Sequence, residues 1–106
     1  MSALYRLTPE ARTDLIEIRR YTVKQWGIAQ SQKYISELRR TVELLAITPS
    51  IGKYRPDVAL EVLSFPHASH VIYYMLHDQQ VIVFGILHKH MVPLNHLVER
   101  SVFNFA

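Results

Sequence analysis

A chain of 106 residues that is 49% hydrophobic, carries a formal net charge of +3 and lacks cysteine has room for one hydrophobic core but not two. The composition excludes a disordered chain, and the missing thiols exclude disulfides and thiolate metal sites. No apolar run approaches the roughly 20 residues of a membrane-spanning helix, and Met1-Ser2-Ala3-Leu4-Tyr5 has no signal-peptide core, so a cytoplasmic protein without membrane contact is expected.

Residues Ala3 to Leu7 read as a short strand with Tyr5 and Leu7 on one face. Thr8-Pro9-Glu10 then starts a helix, with a hydroxyl to cap free amides, a proline pre-set for the first helical position and an acid at the positive dipole end. Ala11, Leu15, Ile18, Thr22 and Trp26 step by three or four along its inner face, and Trp26 is expected as a core anchor at the tip. Gly27 breaks the helix, and a second begins at once. Ile28, Ser31, Ile35, Leu38, Val42 and Leu45 form its seam, so the two helices make an antiparallel hairpin. Thr48-Pro49-Ser50-Ile51-Gly52 ends it.

From Lys53 to Ala59 the chain reads as a loop, after which the period changes to two. Leu60 to Phe65 reads as a strand stopped by Pro66-His67-Ala68, and Ser69 to Leu76 as a second, rich in β-branched and aromatic residues. His77 to Gln80 is a four-residue turn, so Val81 to His88 completes a β-hairpin. These strands are apolar on both faces, Val71, Tyr73 and Met75 on one and Ile72, Tyr74 and Leu76 on the other. One face covers the helices; the other is buried by the C-terminal segment or kept for a partner. The expected fold is α+β: an N-terminal strand and an antiparallel helical hairpin packed on a small antiparallel sheet, in the order β-α-α-β-β-β. It forms one domain over residues 1–98, with residues 99–106 as a C-terminal tail, loosely held from Val102 to Ala106.

The basic excess lies in residues 1–50, with eight Lys and Arg against five Asp and Glu. Arg19-Arg20, Arg39-Arg40, Lys24 and Lys33 read as a solvated helix face offset by Glu17, Glu37 and Glu43, so no sequence-specific nucleic-acid site is expected. All six histidines lie in the second half. His88 and His90, two apart in a strand, point to one face, and with His70 they would make an acid–base pair near neutrality. With His96 the same pair would be a zinc site, but no carboxylate or thiolate joins at ligand spacing. The plainer expectation is ordinary polar strand residues, no metal and no cofactor. Tyr73 and Tyr74 are expected in the core or against a partner. No Gly-rich phosphate loop and no Ser-His-Asp signature is present.

Leu7-Thr8-Pro9-Glu10-Ala11, the Tyr21-to-Gly27 close of the first helix, Pro49 to Gly52, Phe65-Pro66, Ser69 to Tyr74 and Gly85 to Met91 together resemble the ParE/RelE toxin superfamily, and its ParE branch most. The resemblance covers roughly Leu4 to Leu97. It implies a toxin held inactive by a small antitoxin encoded beside it. RelE-like members cut mRNA on the ribosome, whereas ParE-like members poison DNA gyrase. RNA cleavage needs the 2′-oxygen activated, the phosphate charge neutralised and the leaving oxygen protonated. RelE-like toxins resemble one another in using clustered Lys, Arg and Tyr for this. Here Lys53 and Arg55 match the loop basic pair, but the arginines fall on Leu63 and Gly85 and the tyrosine on Met91, none of which can replace them.

The resemblance therefore implies a toxin that is no enzyme and inhibits DNA gyrase by binding. A ParD-like antitoxin would neutralise it in a hetero-oligomer through its C-terminal segment. The alternatives are a ribosome-dependent mRNA interferase using the histidines and a non-toxic interaction module. Lys53, Arg55, His70, Tyr73, His88, Lys89 and His90 are the candidates for the functional, partner-binding surface.

Overall fold

The computed structural model describes residues 5–98 and residue 100. A three-residue strand, β1 (Tyr5–Leu7), leads into α1 (Pro9–Trp26); Ala3 and Leu4, expected in that strand, lie outside the described residues. The start of α1 follows from its first residues. Thr8 Oγ1 accepts the Ala11 amide at 3.2 Å, and Pro9 occupies the first turn. Gly27 alone separates α1 from α2 (Ile28–Ile47). Its φ of +90° is open to glycine, and its backbone closes one helix and opens the next: its N–H donates to Val23 O at 2.8 Å, and its carbonyl accepts Ser31 N–H at 3.1 Å.

The hairpin closes on small residues. Thr22 and Ser31, both buried, place their hydroxyl oxygens 2.7 Å apart, and Thr22 also donates to Ile18 O at 2.8 Å. The seam departs from expectation at its tip. Trp26 is 48% exposed and lies with its ring edge-on to Tyr34 at 5.6 Å, because the chain turns at Gly27 before the ring reaches the sheet. Ile28 is also exposed, and Tyr34 is buried in its stead.

After a 3-10 turn at Pro49–Ile51 come β2 (Lys53–Tyr54), β3 (Leu63–His67), β4 (His70–His77) and β5 (Gln80–His88), then a short α3 (Pro93–Leu97). They form one five-stranded sheet in the order β1-β5-β4-β3-β2, antiparallel except where β1 lies parallel to β5 at the edge. Several strand bounds differ from the expected ones. The expected loop from Lys53 contains β2, which pairs Lys53 with Ser64. The expected strand Leu60–Phe65 shifts to Leu63–His67: Pro66 sits inside it, and the reversal is the two-residue turn Ala68-Ser69. The four-residue turn at His77 is a two-residue turn instead, since Asp78 and Gln79 adopt φ of +51° and +63° and let His77 pair with Gln80. Positive φ at both central residues is the twist-matched hairpin geometry.

The sheet is buried on both faces. On one, Ile72, Tyr74, Val81, Val83 and Ile86 meet Ala11, Ile18, Leu38, Val42 and Leu45 of the helices. On the other, Tyr73, Ile82, Phe84 and Leu87 are covered by Val58 and Val62 from the loop before β3 and by Leu97 of α3. Leu76, which shares a strand face with Ile72 and Tyr74, is exposed near the turn. A bulge lets β5 serve both cores: Tyr73 opposes Gly85 while Tyr74 opposes Val83, leaving Phe84 as the extra residue. Before it the odd positions Val81 and Val83 face the helices; after it the even position Ile86 does.

Candidate functional site

The seven candidate residues do not form one site. Along β4, Tyr73 and His70 are three residues apart, about 10 Å at 3.3 Å per residue, and they point to opposite faces. Lys53, Arg55 and Tyr73 belong to the loop-covered side. His70, His88, Lys89 and His90 gather at the far end of β4 and β5, towards the helices.

In the first group Lys53 is exposed on the edge strand β2. Arg55 is committed to structure. Its Nε and Nη2 donate to the two carboxylate oxygens of Asp57 at 3.0 Å each, Nη1 donates to Ser64 Oγ at 3.2 Å, and the guanidinium lies 5.4 Å from the Tyr73 ring centre. Asp57 and Tyr73 raise the Arg55 pKa against its partial burial, and Arg55 in turn holds the Asp57 carboxyl below its ordinary value. With its amide on Val62 O at 2.8 Å, Arg55 clamps both ends of the loop that covers the second core. The loop basic pair is thus one exposed cation and one fixed strut.

The second group is a row of rings. Trp26, Tyr34, His70, His88 and His90 follow one another with centre-to-centre separations of 5.6, 5.6, 5.6 and 5.0 Å. His70 is buried, with Nδ1 2.7 Å from the Tyr34 hydroxyl; His67, beside them, holds Thr41 Oγ1 at 2.9 Å. Burial, reinforced by His88 and His67 and opposed by Asp14, pushes the His70 pKa down to about 4. At neutral pH His70 is an uncharged packing group. His88 and His90 do lie together, but not because a strand alternates. Strand β5 ends at His88, and the turn brings the His90 N–H onto His88 Nδ1 at 3.2 Å. Lys89 projects outward from that turn, its own amide donating to Ser69 O at 2.9 Å.

His70 and His88 border a groove of about 520 Å³ between α1 and the end of β5, floored by Ile18, Ile86 and Leu87, with Glu17, Tyr21 and Met91 also lining it. At its inner end Asp14 pairs with Arg100 at 2.7 Å. Neither residue stands out in the sequence, since an acid on α1 and an arginine near the C-terminus both read as solvated charge. Among the described residues, no group of three His, Asp or Glu side chains is placed to hold a metal ion, and no helix is long and apolar enough to cross a membrane.

Of the three positions at which the cutting branch carries polar groups, two are covered by packing and the third is open but apolar. Leu63 packs half-buried against the helix-side core. A Cβ built on Gly85 would stand 2.5 Å from Leu97 Cδ2, so the buried Leu97 side chain would have to give way to admit a side chain there. Met91 sits on the groove's rim.

The outer face of α1 carries a second, shallower depression lined by Ile16, Arg19, Arg20, Val23 and Lys24. Ile16 is 52% exposed there, and none of the ion pairs among the described residues engages Arg19, Arg20 or Lys24.

Comparison with known proteins gives a consistent result. The family model described as the ParE toxin of the type II toxin–antitoxin system parDE matches residues 5–93. Toxin ParE1 of Caulobacter vibrioides is 31% identical over 93 residues, which take in 88% of this chain and 96% of that protein. Toxin ParE of Escherichia coli is 32% identical over 99 residues, 91% of this chain and 94% of its own. Among solved structures, a chain of the chromosomal ParDE TA system from P. aeruginosa superposes with a TM-score of 0.71 over 79% of this chain and 92% of that one, at 17% identity, a likeness of fold. The chain belongs to the ParE toxin family of type II toxin–antitoxin systems.

Proposed function

We propose that this toxin acts by binding, holding DNA gyrase in an inhibited or cleaved state without bond-making chemistry of its own. The observation that carries this reading is the closure of Gly85 under Leu97, where a cutting relative needs an arginine against the phosphate. Of the loop basic pair, Arg55 is already satisfied by Asp57 and Ser64, which leaves Lys53 as the one exposed cation. Such a target places the protein's action in the cytoplasm. Purified toxin should block supercoiling by gyrase and leave translated mRNA intact. Ribosome-dependent mRNA cleavage with undisturbed supercoiling would sink the proposal.

Neutralisation falls to a ParD-like antitoxin, whose C-terminal segment orders on this chain to give a hetero-oligomer. The α1 depression suits it: exposed Ile16 and half-buried Val23 offer apolar contact, and Arg19, Arg20 and Lys24 offer charge to an acidic peptide. Lys53, Lys89 and His90 add exposed polar surface at either end of the sheet. Co-expression with the neighbouring gene product should yield a stable complex, and charge reversal at Arg19 and Arg20 should weaken it in a salt-dependent way.

One observation favours a second reading, an interferase that uses His88 and His90, because the fold brings those rings together. Replacing both with glutamine separates the readings. Gyrase inhibition should survive in the double variant, whereas an interferase would lose its activity.

A further inference from the structure

Strand β1 covers β5 only as far as Val83, whose carbonyl takes the Thr8 amide at 3.0 Å before the chain turns into α1. Beyond that point, among the described residues, the edge of β5 has no neighbouring strand, and buried backbone groups there need other partners. Two side chains supply them. Asp14 Oδ2 accepts the Ile86 amide at 2.9 Å, and Arg100 Nη1 donates to Phe84 O at 3.2 Å. The two are bound to each other through Nη1 and Nη2 at 2.7 and 3.3 Å, and Arg100 Nε donates to His96 O at 2.8 Å, the last turn of α3. Their side chains are only 11% and 14% exposed. Immediately beside this pair, Leu97 fills the space over Gly85 and completes the second core.

We infer that α3 with Arg100 is a strap over the second core, and that the Asp14–Arg100 pair is its lock. Three elements meet Arg100 at that lock: α1 through Asp14, the bulge of β5 through Phe84 and Ile86, and α3 through His96. Apart from its single buried side chain, Leu97, α3 is held by these polar contacts, while Leu94 and Val98 face solvent. A five-residue helix does not stand by itself. The strap therefore opens as a unit when the lock breaks, without unfolding the helical hairpin or the rest of the sheet. In the open state the faces of Phe84, Leu87 and Tyr73 become accessible, the Phe84 carbonyl loses its Arg100 donor, and the Ile86 amide, still on Asp14, is opened to solvent. The molecule thus has two surfaces at this end, one polar and latched, one apolar and uncovered.

The design of the lock separates it from an ordinary ion pair. Asp14 must accept an N–H and Arg100 must donate to a carbonyl, so exchanging the two charges cannot restore it. The test is native-state hydrogen exchange on the full chain. In D14N the Ile86 amide should exchange about tenfold or more faster, with binding of a dye specific for exposed apolar surface, while Val83 and Ile72 keep their protection. G85A, which leaves both charges in place, should open the strap from the other side and give the same pattern. The D14R/R100D pair should behave like D14N. The inference is overturned if the Ile86 amide exchanges only with global unfolding in the wild type and both single variants, or if the charge swap restores wild-type protection.

Discussion

The Tyr34 hydroxyl and Nδ1 of His70, 2.7 Å apart, join α2 to the sheet at the point where burial has removed the histidine's charge. Facing that imidazole are His67 and His88 from the sheet and Asp14 from α1. The unfolded chain protonates this group near the ordinary 6.5, the folded chain only near 4. Between those values the unfolded state binds more protons, so stability is complete above about pH 6.5 and falls by up to about 3 kcal/mol as the pH drops towards 4. His67, lowered by its own burial, acts in the same direction. Melting temperatures measured from about pH 7 to 4.5 should fall, and His70→Gln should flatten that slope. An unchanged slope in the variant would assign the acid sensitivity to other groups.

The contact between Thr22 and Ser31 sets the spacing of the helical hairpin, since two small side chains and their shared hydrogen bond fill the interface. Ser31→Val adds bulk at a position 1% exposed and takes away the Thr22 hydroxyl's partner across the interface. A loss of about 1–3 kcal/mol is expected in urea unfolding. Ser31→Ala, which only removes the bond, should cost about 1 kcal/mol.

At Gly52 the restriction is space, since its φ is ordinary. A Cβ there would run into the Tyr74 ring and hydroxyl, which donates to Pro49 O at 2.6 Å. Tyr74 is fully buried and cannot step aside. Gly52→Ala should therefore destabilise by about 1–3 kcal/mol. Gly52→Ala combined with Tyr74→Phe, which removes the obstructing hydroxyl, should recover part of that loss in the same denaturation experiment.

The turn between β4 and β5 offers a gain. Gln79 holds a φ of +63° without being glycine or asparagine. Gln79→Gly relieves that strain, and the resulting Asp-Gly suits the turn, so a rise of about 0.5–1 kcal/mol is expected with no change in toxin activity. A lower melting temperature would show that the glutamine side chain makes a compensating contact.

Much of this architecture is legible in the sequence because it rests on repetition. The steps of three and four along α2 give the helical hairpin away, with Ser31, Leu38, Val42 and Leu45 all buried as their spacing requires. The alternation of Val71, Ile72, Tyr73 and Tyr74 likewise sorts correctly between two cores. What repetition does not carry is lost: β2 is two residues long, α3 is five, and neither is long enough to establish a period. The two-residue turn is hidden because Asp78-Gln79 lacks the glycine that usually announces it. For the candidate site, placement is what the sequence does not carry. Asp14 and Arg100 lie 86 positions apart, and only the folded chain makes them neighbours. His88 and His90 meet through a turn, where alternation does not apply.

The extra residue in β5 has a consequence for how relatives can be matched to this chain. Downstream of Phe84 the inside and outside of the strand are exchanged relative to the numbering upstream. A homologue of equal length without the bulge, matched without a gap, would aim the residue opposite Gly85 at the helices, not at Leu97. Equivalence at the end of this strand is therefore a question of phase before it is a question of residue type, and a side chain can be gained or lost there by sliding the frame as well as by substitution.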